Sequence, residues 1–463
     1  MEAENPRGRE RTWQGQSLED RLASYSSPLA MLRENPATKF AFGYLTEYMS
    51  WATEQDAWKT SCVLFDQSLH MGDAVFRGPD VRRFFSDFGV NSFASFGRNR
   101  AKQFVTVNED GKYIGDSILF GLEDDEYNLV GVKNGLNWMI YHAEVGDYDV
   151  EVDYDFHRPV TRSLIRRNWR YQLNGPATYD VIARAADGPV PEIKFFQMGE
   201  FTIAGAPVRA LNHTMSGVPG EHFSGLELWG PYEDRERVLN ALLAAGEEFG
   251  LRRGGERSYL SAAYESGWIP MLLPAIYTAP ELKAYREWLP AARETFLSLQ
   301  GSFDSDRVED YYLDPWDLGY GRFVKFDHDF YGRDALERRA GEEIRRKVWL
   351  EWNVDDTRQL IGDALFAPDG ERPLIVDLPN VAYAAAIYDR VTKNGEEVGL
   401  STWGGYTENT RRIVTAGILG SDVADGDEVV ITWGEPNGGL RKPLMRPHVQ
   451  RDIRATVHDR PLV

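Results

Sequence analysis

FDQSLHMGDAVFRGPDVRRFFSDFGV, Phe65 to Val90, holds two hydrophobic periods and the break between them. Apolar residues alternate with polar ones up to Phe76, Gly78-Pro79-Asp80 interrupts, and Val81, Phe84, Phe85 and Phe88 then return at helical spacing. The stretch reads as strand, turn, helix. WRYQLNGPATYDVIARAA, Trp169 to Ala186, repeats the plan with Asn174-Gly175-Pro176 ahead of an amphipathic helix. Two copies of one unit predict an α+β fold whose related halves interleave their strands and helices instead of forming separate beads. His70 sits in the first copy with three readings open: a packing histidine at a sheet edge, a metal ligand, or a substrate contact.

Outward from these copies the pattern stays mixed. Ser17 is a candidate cap for a helix beginning SLEDRLA, with Glu19 in its first turn. AKQFVTVNEDGKYIGDSILFGLEDDEYNLVGV, Ala101 to Val132, gives three alternating runs split by turns, a β-meander, and NGLNWMIYHAEVG follows as a helix. EIKFFQMGEFTIAGAPVRALNHT adds strands, and DRERVLNALLAAGEEFGL adds a helix that stops at Gly250. Composition shifts across the charged GRDALERRAGEEIRR, Gly332 to Arg346, before the strand KVWLEWNV. The expected division is an arm over residues 1–18, interleaved α+β units over 19–340, and a C-terminal β-rich domain over 341–463, read as compact and all-β from VGLSTWGGYT, IVTAGIL, EVVITWG and DIRATVH.

Bulk properties exclude several classes. The 463 residues, 42% of them hydrophobic, suit a globular chain of more than one core. Fifty-two basic against 72 acidic residues give a net charge of −20, which disfavours nucleic acid and anionic membranes as partners. No window approaches the roughly 18 apolar residues of a membrane span. Cys62 is the single cysteine, so neither an internal disulfide nor a thiolate metal cluster is expected, and a reducing cytoplasm is the expected location. Dinucleotide, P-loop, zincin and nucleophile-elbow motifs are missing. Asp327-His328-Asp329 is the one dense group of metal-ligand types, but adjacent residues of an extended chain point apart, and no metal is expected.

FDQSLHM, preceded by WATEQDAWKTSCVL and followed by RGPDVRRFFSDFGVNS and KYIGDSILF, resembles the tetrahydrofolate-binding family of the glycine-cleavage T-protein, the aminomethyltransferases. Within it, LELWGPYE, YESGWIPMLLPAIYT, LKAYREWLP, SFDSDRVEDYYLDPWDLGYG and VKFDHDFYGRDALE are similar to bacterial tetrahydrofolate-dependent aryl O-demethylases of the vanillate and syringate type. The resemblance implies two interleaved, pseudo-symmetric α+β units around a central folate channel plus a C-terminal β-rich domain. It further implies transfer of a methyl group from an aromatic methyl ether to N5 of tetrahydrofolate.

Such an ether is inert because it must expel a phenoxide, whose pKa is about 10. By resemblance, His70 and Tyr259 stand on the side of the leaving oxygen, and Gln67 orients that oxygen or the pterin edge. Glu227 is expected to accept the pterin 2-amino and N3 protons together, with Gln103 beside the pterin or the substrate and Trp268 stacked on a ring. Val132 stands where vanillate-type members carry an arginine for the substrate carboxylate, which leaves the aryl substituents open unless Lys133 or another cation compensates. An early-loop tyrosine is replaced near Ala41, Glu221 to Ser224 is expected as a loop at the pocket mouth, and Gly115-Asp116 replaces the Asp-Asp pair of the T-proteins. Two other classes compete. One is demethylation of an N-methyl or sulfonium compound, which would need a cation-accepting aromatic cage; the other is a non-catalytic folate-binding protein.

Overall fold

The computed structural model describes residues 15–35, 45–155, 166–213, 225–293, 297–342, 345–381, 386–439 and 445–462. Most of the expected N-terminal arm, the position near Ala41 and the loop Glu221 to Ser224 lie outside these residues.

The opening stretch proves to be the bridge between two sheets. Its first strand, Cys62–Asp66, belongs to a six-stranded sheet in the order Leu251–Gly254, Cys62–Asp66, Asn168–Asn174, Gly225–Pro231, Ala206–Leu211, Met198–Ile203. Its second, Gly72–Arg77, lies in a five-stranded sheet in the order Arg100–Val107, Tyr113–Gly121, Glu126–Gly131, Gly72–Arg77, Glu151–Asp155. The chain thus changes sheets within the turn that carries Gln67 and His70.

Helices close the outer faces by the periodicity expected of them. Helix Val81–Phe88 buries Val81, Phe84, Phe85 and Phe88, and helix Thr178–Ala185 buries Thr178, Val181 and Ile182. The glycines before them have matching strained geometry, φ 142° at Gly78 and 125° at Gly175. A Cβ at Gly78 would lie 2.1 Å from the Asp149 carbonyl oxygen, and one at Gly175 2.6 Å from that of Ser61, so both turns need glycine. Ser17 caps helix Leu18–Ala23 as expected, its Oγ accepting from the Asp20 amide.

The six-stranded sheet is two-faced. Trp169, Tyr171 and Leu173, with Leu226 and Leu228, point to the apolar layer under the helices. Their neighbours Arg170, Gln172, Asn174 and Glu227, buried as well, face the other way. That polar face looks toward the five-stranded sheet.

Beyond helix Arg333–Arg339 the strands Arg346–Trp352, Arg412–Leu419, Glu396–Thr407, Asp389–Lys393, Glu428–Trp433 and Arg451–His458 form a closed barrel. The expectation of an all-β segment needs correction, because helix Val354–Phe366 intervenes after the first barrel strand. Asn353 starts it by accepting from the amides of Asp355 and Asp356, and Leu360 and Ala364 are its buried face. The barrel also shares a core with the rest of the chain, since Leu400, Trp403 and Ile418 pack in the same cluster as Tyr259 and Tyr264.

Candidate active site

A cavity lies between the polar face of the six-stranded sheet and the five-stranded sheet, and Lys347 of the first barrel strand also lines it. Gln67, Gln172, Glu227 and Tyr259 line one part; Gln103, Asp116, Trp268, Tyr320, Arg322 and Lys347 line another.

The turn after Phe65 is fastened from both sides. Asp66 Oδ1 accepts from the Ser68 amide at 3.0 Å, and the Gln67 amide donates to the Arg170 carbonyl at 2.9 Å. The Arg170 amide returns a bond to Ser68 Oγ at 3.1 Å, and the His70 amide donates to the Gln67 carbonyl at 3.0 Å. Gln67 Nε2 donates to Gln172 Oε1 across the strand pair. His70 then presents its ring edge to Tyr259, with centroids 5.0 Å apart, while Phe65 contacts the same tyrosine at 5.3 Å. Tyr259 is set by helix Glu256–Ser266, and Trp268 follows directly after that helix ends at Gly267.

Electrostatics separate these groups sharply. Burial, opposed by the nearby Glu227 charge and aided by Arg166, pushes the His70 imidazole down to about 3, so it is neutral near pH 7. Burial, reinforced by Glu227, raises the Tyr259 hydroxyl well above its ordinary value, so it stays a phenol. Glu227 behaves oppositely: burial would raise it, yet the His213 hydrogen bond and the Arg170 charge win and hold it at about 2. Arg170 Nη1 donates to Glu227 Oε1 at 2.8 Å, and His213 Nε2 lies 2.8 Å from Oε2. Arg170 is itself held by Asp73 at 3.2 Å and Asn128 at 3.0 Å, and its guanidinium lies against the rings of Phe120 and Trp229.

A second carboxylate organises the other part of the cavity. Asp116 accepts from Tyr113 Oη, Tyr320 Oη at 2.8 Å, Trp268 Nε1 at 2.9 Å and Gln103 Nε2. Burial still raises its pKa above the usual range despite these donors. Gly115 beside it has no room for a side chain, because a Cβ there would stand 2.4 Å from the Gly135 amide nitrogen of the helix Lys133–Val145. That approach gives the Gly-Asp sequence a packing reason. Lys347, from the first barrel strand, donates to the Gly267 carbonyl at 2.7 Å; burial, with Arg322 adding, lowers it to about 8.

Of the residues singled out by sequence, Gln67, Gln103, Glu227, Tyr259 and Trp268 meet in the cavity wall. His70 stands behind that wall against Tyr259. Val132 is not among the lining residues, being the N-cap of helix Lys133–Val145, one residue past the lining Gly131. Sequence reasoning missed Arg170, His213, Tyr320, Arg322 and Lys347 and took Asp116 only as a subgroup marker. The available signal was RYQLN, in which polar and aromatic residues alternate in a strand with no exposed face.

With this geometry in hand, the comparisons with known proteins are specific. Residues 36–271 match the GCVT N-terminal domain. The chain is 38% identical over 446 residues to a syringate O-demethylase of Sphingobium sp., covering 95% of each. It is 28% identical over 399 residues to a sesamin methylene transferase of Sinomonas sp., covering 82% of this chain and 81% of the relative. Among solved structures, the glycine cleavage system aminomethyltransferase T from Bartonella henselae superposes with a TM-score of 0.60 at 19% identity, over 93% of this chain and 95% of that one, a likeness of fold.

Proposed function

Because the chain belongs to the GCVT aminomethyltransferase family, we propose that it is a tetrahydrofolate-dependent O-demethylase acting on aromatic methyl ethers. The observation that carries the residue assignment is one cavity shared by a phenol kept protonated, Tyr259, and a carboxylate kept ionised, Glu227. Bound tetrahydrofolate supplies N5 as methyl acceptor, so that the products are a phenol and 5-methyltetrahydrofolate.

Glu227 holds the pterin. Arg170 and His213 each take one lone pair of a different carboxylate oxygen, which leaves acceptor capacity on both for the paired 2-amino and N3 donors. Trp268 offers its ring as a wall with its orientation fixed by the N–H bond to Asp116, and Gln103 is tethered to the same carboxylate.

Tyr259 donates to the ether oxygen as the C–O bond breaks and the electron pair moves to oxygen. A hydroxyl with so raised a pKa does not give its proton fully to a phenoxide of pKa about 10; it stabilises the developing charge by hydrogen bonding, and the proton that N5 would shed on methylation balances the phenoxide to the phenol. Neutral His70, edge-on to that ring, positions it, and Gln67 orients the oxygen from the opposite strand end. Alignment of the acceptor with the methyl carbon at about 3 to 3.5 Å supplies the rest of the barrier reduction.

The test is incubation with tetrahydrofolate and a panel of methoxyarenes, following 5-methyltetrahydrofolate and the phenol in equal amounts. Formation of 5-methyltetrahydrofolate only from N-methyl or sulfonium donors, or binding of folate without turnover of any donor, would defeat the proposal.

A further inference from the structure

Glu265, on the helix that carries Tyr259, is 2% exposed and stands outside the cavity lining. Asn409 Nδ2 donates to its Oε1 at 2.9 Å, while its Oε2 is buried with no hydrogen-bond partner among the described residues. Asn409 belongs to the turn between the barrel strands Glu396–Thr407 and Arg412–Leu419, and both strands pack on the helix. The contact is close: a Cβ at Gly405 would stand 2.1 Å from the Tyr264 ring, and one at Gly267 2.4 Å from that of Trp349. A carboxylate left half-satisfied at such a contact is costly, and the neutral acid is much less so.

The surrounding charges do not offset that cost. Helix Trp51–Thr60, which packs on the same helix, contributes the Lys59 charge, whereas its Glu54 is spent on the amides of Tyr48, Met49 and Gly255. In the barrel turn Arg411 pairs with Glu408 at 3.4 Å and Arg412 with Glu351 at 2.8 Å. Tyr264 and Tyr406 donate to Asn380 and Glu408, and Arg257 pairs with Glu47 at 3.2 Å. Burial therefore raises the Glu265 carboxyl to about 7, against the hydrogen bonds of Asn409 and Thr407 and the Lys59 charge.

Its place in the helix couples this acid to the folate wall. Gly267 ends the helix with φ 73°, its carbonyl accepts from Lys347 at 2.7 Å, and Trp268 follows with its N–H on Asp116. The barrel thus grips the helix end at Glu265 and again at Gly267, one residue before the ring.

We propose that Glu265 is a positioning residue: as the uncharged acid it docks the barrel turn on the helix end and sets Trp268 for tetrahydrofolate, and on losing its proton it loosens that wall. The inference rests on the folate site of the reading above and adds a residue that acts from outside the cavity. An acid raised from 4.5 to about 7 by docking strengthens docking fully below 4.5 and loses that contribution as pH rises to about 7.

Tetrahydrofolate binding to the full chain is measured by anaerobic calorimetry at pH 6.0 and 7.5. The wild-type Kd should be about three- to tenfold weaker at the higher pH. Glu265→Gln keeps the shape and an acceptor for Asn409 but cannot ionise, so its Kd should be equal at the two pH values and match that of the wild type at pH 6.0. Asn409→Ala removes the barrel side of the contact and should weaken binding at pH 6.0 as well. Equal wild-type Kd values at the two pH values overturn the proposal, as does a pH dependence in Glu265→Gln as large as that of the wild type. So does an unchanged Kd for Asn409→Ala at pH 6.0, whether or not the glutamine variant folds. A wild type that binds no tetrahydrofolate at either pH would refute the folate reading itself, and the proposal with it.

Discussion

Replacing Tyr259 with phenylalanine removes one oxygen and keeps the ring that Phe65 and His70 pack against at 5.3 and 5.0 Å. The fold should therefore survive, and what is lost is one donor in a buried site. A preorganised donor aimed at developing oxyanion charge is worth about 10²- to 10³-fold in kcat, or about 3 to 4 kcal/mol. That loss should appear on an ether whose phenol has a pKa near 10, with tetrahydrofolate affinity within about threefold of wild type. Ring substituents that bring the phenol to a pKa near 7 reduce the help required. With a sensitivity of about half a decade per pKa unit, the wild-type to mutant ratio should fall by about 30-fold across the series. Single-turnover formation of 5-methyltetrahydrofolate at saturating folate measures the ratio, and a thermal melt reports the fold. A constant ratio across the series, together with a lowered Tm, would show that the hydroxyl supports packing and that the His70–Tyr259 pair has no part in the leaving step.

Glu227→Gln should raise the tetrahydrofolate Kd by about 30-fold or more while the aryl ether Kd moves less than about threefold, because an amide offers the pterin edge one acceptor and a mismatched donor; comparable losses in the two titrations would contradict the assignment. Asp116→Asn sets an amide N–H₂ among the donors of Tyr113, Tyr320, Trp268 and Gln103. Both the Tm and folate affinity should fall, and retention of either at the wild-type value argues against Asp116 as the organiser of that wall. Acid should destabilise the protein in two stages, since His70 at about 3 and Glu227 at about 2 lie below their ordinary values of 6.5 and 4.5. Each depressed group contributes stability fully above its unfolded pKa and loses it as pH falls toward the folded value. Melts from pH 7.5 to 3 should decline below about 6.5, where the losses at His70 and at His142, likewise pushed down to about 3 by burial, exceed the gain at Glu265, raised by burial to about 7, and should steepen below about 4.5; His70→Gln should make the first stage shallower, and a variant whose first stage is as steep as that of the wild type would refute this.

The fold was largely legible where a local rule determined the outcome. Gly78-Pro79 and Gly175-Pro176 announced two turns that only glycine can make, and Phe84, Phe85 and Phe88 announced the buried face of their helix. Helix Val354–Phe366 carries a start signal in Asn353 with Asp355 and Asp356, but a single short helix among closely spaced strand patterns does not stand out from them. The site was legible only where resemblance named its members. Arg170 meets Glu227 because its strand pairs with Gly225–Pro231 in one register, and Lys347 arrives from a barrel strand. No spacing along the chain encodes such meetings. Arginines in a strand look like solvated residues until both faces of that strand are seen to be covered.

The pairing order of the six-stranded sheet also sets when the protein can become an enzyme during its synthesis. Cys62–Asp66, the strand leading into Gln67 and His70, lies between Asn168–Asn174 and Leu251–Gly254, and its parallel partner Leu251 leaves the ribosome long after Cys62. The Gln67–His70 turn is tied to Arg170, and the cavity gains its last wall with Lys347. Long-range pairings of this kind are slow to form and leave apolar strand edges exposed in the nascent chain. Folate stabilises only a state that binds it, so it gives no protection to the emerging half-chain and acts once the barrel strand is in place.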